Sequence, residues 1–288
     1  MADFFTTYQA RLKAKDTRII LLTINLAVFL LFTVLSIAKA ENVFYFLVEE
    51  VFSFKTDSTF FLTHPWTVVT SIFTHFSFTH ILFNMLMFYF VSEMFVYFFS
   101  ARKLVWIYLL GGIAGNLFEF LANLIVYSNE QPISVIGASG SVMAVFIAVA
   151  IYQPHLKVKL FGLLDMKIIY LAAVYFLLDF TQINSNDGVA HLAHIGGALI
   201  GFLSARNVTK PSNILNYIDT LWTKITAKKP KKKKVVYGGR PMNDEQFNTQ
   251  KKANQDRIDA ILDKISKKGY DGLTAEEKDF LFNQSNKR

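Results

Sequence analysis

No cysteine occurs in this chain of 288 residues, so disulfides and thiolate metal sites are excluded and nothing reports the redox compartment. No H-E-x-x-H pair occurs either, and no acidic ligand sits beside the histidines. Zinc takes about three or four such ligands, so no metal is expected. Inverted-repeat symmetry is missing, and so are charged residues at mid-depth of the apolar runs. Both absences weigh against a small transporter lined by polar groups. Charged residues make up 18% of the chain, and most of the net charge of +8 falls after residue 205.

What is present is apolar. Hydrophobic residues supply 52% of the chain, mean hydropathy is +0.32, and phenylalanine alone accounts for 29 positions. The expectation is an all-α membrane protein that crosses the bilayer several times. Candidate spans lie at 19–37, 78–99, 104–126, 137–153, 168–183 and 190–205. Ala38-Lys39-Ala40 after the first span looks like a signal-peptidase site. The run is long for a signal peptide and a polar segment precedes it, so an uncleaved helix is expected.

Lysine and arginine fix the orientation. Arg11, Lys13, Lys15 and Arg18 precede span one, and Arg102 and Lys103 separate spans two and three. Lys157, Lys159 and Lys167 separate spans four and five, and a basic tail follows span six. The other side has Lys39 and Lys55 in its first loop and no Lys or Arg in 127–136 or 184–189. By the positive-inside rule both termini are cytoplasmic. The long outer loop at 41–66 reads as a partly helical interfacial segment with Trp66 as an anchor, because Glu49 and Glu50 interrupt its apolar run.

Polar residues inside the spans carry the functional signal. Gly137-Ala138-Ser139-Gly140 opens span four with a serine between glycines. It reads either as a small-residue helix contact or as an approachable nucleophile. His80 and Asn84 are four apart on one face of span two, as a helix–helix hydrogen bond or as functional groups. Span six opens with His191 and His194, and Gly197 and Gly201 form a G-x-x-x-G face. His194 lies one turn before Gly197, so the glycines that draw span six against a neighbour also aim His194 into that contact. Orientation brings His194 to about the depth of Ser139, the serine–base arrangement of acyl transfer.

H-x-x-x-N on span two, G-x-S-G on span four and A-H-x-x-H-x-x-G-x-x-x-G on span six, in that order, resemble a rhomboid intramembrane serine protease of bacterial type. The resemblance covers residues 18–205 and implies a six-transmembrane-helix rhomboid-like bundle. It implies Ser139 as nucleophile and His194 as base in a dyad that needs no aspartate. It implies an oxyanion hole from His80, Asn84 and the Ser139 N–H. His191, Gly137, Gly140, Gly197 and Gly201 would support the site. Substrates would be transmembrane helices of other membrane proteins, cut near their outer ends, with no cofactor and no metal. The alternative is a silent relative that binds or escorts membrane clients; retention of both Ser139 and His194 argues against it. A polar mouth (Asn129, Gln131, Ser134, Asn184, Ser185, Asn186) would admit water. Three positions depart from the family pattern: Thr67 for an arginine, Met143 for a tyrosine, and Val96 for a glutamate, with Glu93 on another face. Asp179, near the outer end of span five, reads either as a partner of a histidine or as a group that hydrogen-bonds at the interface, and the second is expected.

The domain reading is a cytoplasmic segment at 1–18, a membrane domain at 19–205, a basic linker at 206–242 and a cytoplasmic helical hairpin at 243–288. Lys228, Lys229 and Lys231 to Lys234 suit anionic headgroups of the lipid bilayer. No motif backs nucleic-acid binding. Ile258, Ile261, Leu262 and Ile265 give a helical stripe that Gly269 ends. Thr274 and Glu277 form a capping box for a second helix. The hairpin is too small for a large core, so a cytoplasmic partner or the chain's own membrane domain is expected to cover it. The location implied is the bacterial cytoplasmic (inner) membrane.

Overall fold

The computed structural model describes residues 2–126, 131–160, 164–183, 190–226 and 244–285. Helix α1 (Ala2–Lys13) leads into α2 (Thr17–Ile37), which the Asp16 carboxylate caps by accepting from the Arg18 N–H at 3.1 Å. The outer segment follows. It contains α3 (Glu41–Phe46), a π-helical stretch at Leu47–Phe52, strand β1 (Phe54–Lys55), α4 (Ser58–Thr63), α5 (Thr67–Thr70) and a 3-10 turn at Ser71–Phe73. Ser77 accepts from the His80 N–H at 3.1 Å and starts α6 (Phe78–Phe98); Ser100 does the same for α7 (Ala101–Ile125) through the Lys103 N–H at 3.3 Å. Among the described residues, α2, α6 and α7 are the helices long and apolar enough to cross a membrane. Strand β2 (Ser134–Val135) precedes α8 (Ser139–Tyr152). Then come a hairpin of β3 (Lys157–Leu160) and β4 (Leu164–Lys167), α9 (Ile168–Thr181) and α10 (His191–Ala205). The last three spans read from the sequence are thus shorter apolar helices of 14, 14 and 15 residues.

Helix α10 packs on α7 and α8, and glycine makes that possible. A Cβ on Gly197 would lie 2.1 Å from the Gly140 carbonyl oxygen, and one on Gly201 2.5 Å from that of Ala144. The expected G-x-x-x-G face is therefore the face on α8, close enough for backbone-to-backbone dispersion contact. Phe88, Phe95, Tyr108 and Phe146 fill the space between α6, α7 and α8 and are fully buried. Asn25 donates to the Tyr108 hydroxyl at 2.8 Å and ties α2 to this core. Large apolar side chains on α2, α6 and α9, such as Leu30, Phe83 and Leu177, face outward. Such faces suit hydrocarbon rather than water.

Two compact units result, residues 1–227 and 228–288. The region read as a basic linker opens with a helix, α11 (Ile214–Thr226), whose Trp222 ring meets Trp106 of α7 at 5.4 Å. The Lys228–Lys234 run lies outside the described residues. In the second unit α12 (Asp244–Lys268) ends at Gly269, which takes φ +72°. The Thr274 N–H then donates to Glu277 at 2.8 Å and the Glu277 N–H to the Thr274 hydroxyl at 3.4 Å, starting α13 (Ala275–Ser285). Lys264 pairs with Glu277 at 2.9 Å, and the Arg257 guanidinium sits 4.4 Å from the Phe280 ring centre.

Candidate active site

Ser139 is the first residue of α8, half-buried, and the backbone that leads into it is held by the outer segment. Val135 and Ser134 pair with Phe54 and Lys55. The Gly137 N–H donates to the Ser71 carbonyl at 2.9 Å, and the Ala138 N–H to His75 Nε2 at 3.3 Å. Protein groups thus satisfy the N–H donors of this non-helical backbone. Gly137 has φ +115°, a conformation L side chains rarely adopt, and a Cβ there would also fall 2.8 Å from His80 Nε2. His80 therefore lies directly over the turn that delivers Ser139.

His80 and Asn84 share the first turns of α6, as their spacing predicts. Asn84 is buried and donates from Nδ2 to the His80 carbonyl at 3.0 Å, keeping a second N–H to offer. His75, fully buried, crosses His80 edge-to-face at 4.8 Å. Its part in anchoring the turn before Ser139 had no signal in the sequence beyond its position near His80.

His194 and His191 stand in the first turn of α10, each 5% exposed. Gly140, next to Ser139, would place a Cβ 3.2 Å from the carbonyl oxygen of Ala193, next to His194. The backbones next to Ser139 and His194 thus meet. Gly140, Gly197 and Gly201 sit at this contact or just below it, while Gly137 faces His80 and His75.

Two expectations need correction. Asp179, in the last turn of α9, does not simply hydrogen-bond at the interface. Its Oδ1 is 2.7 Å from His194 Nδ1 and 2.7 Å from His191 Nδ1, so an acid does sit beside these histidines. Charged residues are not missing from the apolar helices either. Glu119 of α7 is buried and accepts the Ala193 N–H at 3.1 Å, closing the open first turn of α10. Asp179 arrives on a separate helix and Glu119 on a third, so no local pattern links them to His194.

Asp179, His191 and His194 are also the one group among the described residues with three ligand-type atoms within 4.8 Å of one another. Both nitrogen–oxygen contacts are 2.7 Å. Ligand atoms around tetrahedral zinc stand farther apart, roughly 3.3 Å given Zn–N bonds of about 2.0 Å. The spacing is that of hydrogen bonds.

Other positions singled out from the sequence are placed as follows. Met143 is buried in α8, and Thr67 donates to the His64 carbonyl at 2.7 Å. Glu93 binds Arg11 at 2.9 Å and also Arg18, at the opposite end of α6 from His80. Gln131 and Ser134 are exposed, while Asn129, Asn184, Ser185 and Asn186 lie outside the described residues.

Comparison with known proteins gives the following. A family model described as the rhomboid domain matches residues 62–210, just over half of the chain. A family of unknown function (DUF6576) matches residues 243–287. A Bacillus subtilis (strain 168) protein named "Putative rhomboid protease YdcA" is 30% identical over 140 residues. That stretch is 48% of this chain and 66% of the relative, so the chain spans just under two thirds of the relative's length.

Proposed function

The chain belongs to the rhomboid family, and on that premise we propose that it is an intramembrane serine endopeptidase with Ser139 as nucleophile and His194 as general base. The observation that supports the reading is the meeting of α8 and α10, where Gly140 lies against Gly197 and Ala193, so the backbone next to Ser139 touches the backbone next to His194. Both residues are polar in apolar helices, where such groups are costly and mark function.

In this reading Ser139 Oγ attacks the scissile carbonyl carbon while its proton passes to His194 Nε2. The carbonyl electron pair moves onto oxygen. That oxyanion takes hydrogen bonds from the Ser139 N–H, the second Asn84 N–H and His80. Collapse breaks the C–N bond, and His194 gives its proton to the leaving amine. Water then adds to the acyl-enzyme with His194 again as base, releasing the carboxylic acid and restoring Ser139.

The proposed arrangement is six spans with both termini cytoplasmic, in the bacterial inner membrane. It is supported by the Lys and Arg distribution and by the chain path. α6, α8 and α10 start, and α7 and α9 end, on the side of the site. Helix α8, of 14 residues, rises about 21 Å, short of the ~30 Å of hydrocarbon. Ser139 would then lie roughly 10 Å below the outer surface, where a transmembrane substrate must unwind near its outer end to reach it. The substrates are transmembrane proteins, and no cofactor enters the steps above. We assign the hairpin at 243–288 a cytoplasmic partner.

A fluorophosphonate probe tests the reading, because only an activated serine labels at a useful rate. The chain should label, and Ser139→Ala should not. Labelling of both alike, or of neither, would contradict the reading and favour a silent relative that binds membrane clients.

A further inference from the structure

We infer that Asp179 is the positioning residue of His194, so that the reacting pair works as a buried Ser–His–Asp series. The inference rests on reading Ser139 and His194 as nucleophile and base. Oδ1 of Asp179 stands 2.7 Å from His194 Nδ1 and 2.7 Å from His191 Nδ1. An ionised carboxylate oxygen only accepts, so each imidazole donates its Nδ1 proton to it. A neutral ring protonated on Nδ1 keeps the lone pair on Nε2, the atom that must take the serine proton. The carboxylate thus fixes both the tautomer and the orientation of His194, the task of the aspartate in serine-protease triads on unrelated folds.

The groups that face His194 single out Asp179. Helix α7 offers Glu119, which the Ala193 N–H already engages at 3.1 Å. Helix α6 offers His80, whose ring makes no hydrogen bond to His194 among the described residues. Helix α10 itself offers His191, a donor to the same oxygen. Helix α8 brings Ser139. Among the described residues Asp179 is the acceptor at hydrogen-bond distance from His194 Nδ1. His191 binds the same Oδ1 at 2.7 Å and so holds the carboxylate as the carboxylate holds His194. The three side chains are each under a tenth exposed, which makes the link rigid and the local dielectric low.

The test uses the full chain in detergent micelles with a fluorogenic transmembrane peptide. Ser139→Ala should be inactive; if it cleaves, the reading of the pair fails and the inference with it. With Ser139→Ala inactive, Asp179→Asn should lower kcat on the order of 10²- to 10⁴-fold, because the amide supports the wrong tautomer. KM and the thermal midpoint should stay close to the wild type, which a merely structural role would not predict. A kcat within about twofold of wild type, or a loss carried by KM, would overturn the inference while leaving the dyad intact. Nitrogen-15 histidine spectra of the wild type guard against a variant that does not fold. The His194 signals, assigned by their absence in His194→Gln, should show a proton on Nδ1 and none on Nε2. A proton on Nε2 instead would overturn the inference without recourse to any Asp179 variant.

Discussion

Asn84 offers one N–H beyond the bond it makes to the His80 carbonyl. Asn84→Ala should lower kcat about 10²- to 10³-fold, roughly 3–4 kcal/mol of transition-state stabilisation, with little change in KM. Steady-state cleavage of a fluorogenic transmembrane peptide measures this. Glu119 acts on the helix rather than the reaction. Glu119→Ala removes one of the two acceptors of the Ala193 N–H, the other being the Ala190 carbonyl at 3.1 Å, and should cost about 0.5–1.5 kcal/mol, read as a lower thermal midpoint. Residues of this kind divide sharply in how far the sequence discloses them. Ser139, His194, His80 and Asn84 are nameable because each sits in a short motif, and the motifs come in a telling order. Asp179, Glu119 and His75 are not. Each acts on a residue brought to it by tertiary packing, and a lone acid in an apolar run looks the same in sequence whether it pairs with a histidine or with solvent.

The packing of α8 on α10 has no room for a side chain at Gly197. Gly197→Val should push the helices apart, cost at least about 1–3 kcal/mol of stability and separate Ser139 from His194. A lower thermal midpoint together with lost fluorophosphonate labelling would be the measured result. This contact is foreseeable from G-x-x-x-G spacing, and the start of α13 from the Thr274 capping box. The turn into Ser139 is less so. It depends on pairing of residues 54–55 with 134–135, about eighty positions apart, and two-residue strands leave no alternation to read. Helix α11 was hidden for another reason. Its apolar stripe at Ile214, Leu215, Ile218, Leu221, Trp222 and Ile225 has helical spacing, but the lysines that follow it dominate the composition of that region.

The membrane unit and the tail are separate compact bodies, and every described contact of the site lies within residues 1–227. Truncation after Ala227 should therefore leave peptide cleavage in place, as kinetics on the shortened chain would show. The tail carries its own signature. The Lys264 ammonium bonded to Glu277, with the Thr274 N–H, holds that carboxyl below the usual glutamate range. A lowered folded-state value means the contact stabilises the hairpin above the ordinary glutamate pKa of about 4.3 and is lost as pH falls through the folded value. A carbon-13 titration of Glu277 should give a midpoint below the ordinary one, and Lys264→Ala should raise it. For the whole molecule the central claim is catalysis by Ser139 and His194 within the membrane. The most direct measurement is cleavage of a fluorogenic transmembrane peptide in liposomes by wild type, Ser139→Ala and His194→Ala. Cleavage by the wild type and by neither variant is the predicted result; equal cleavage by all three would contradict the account.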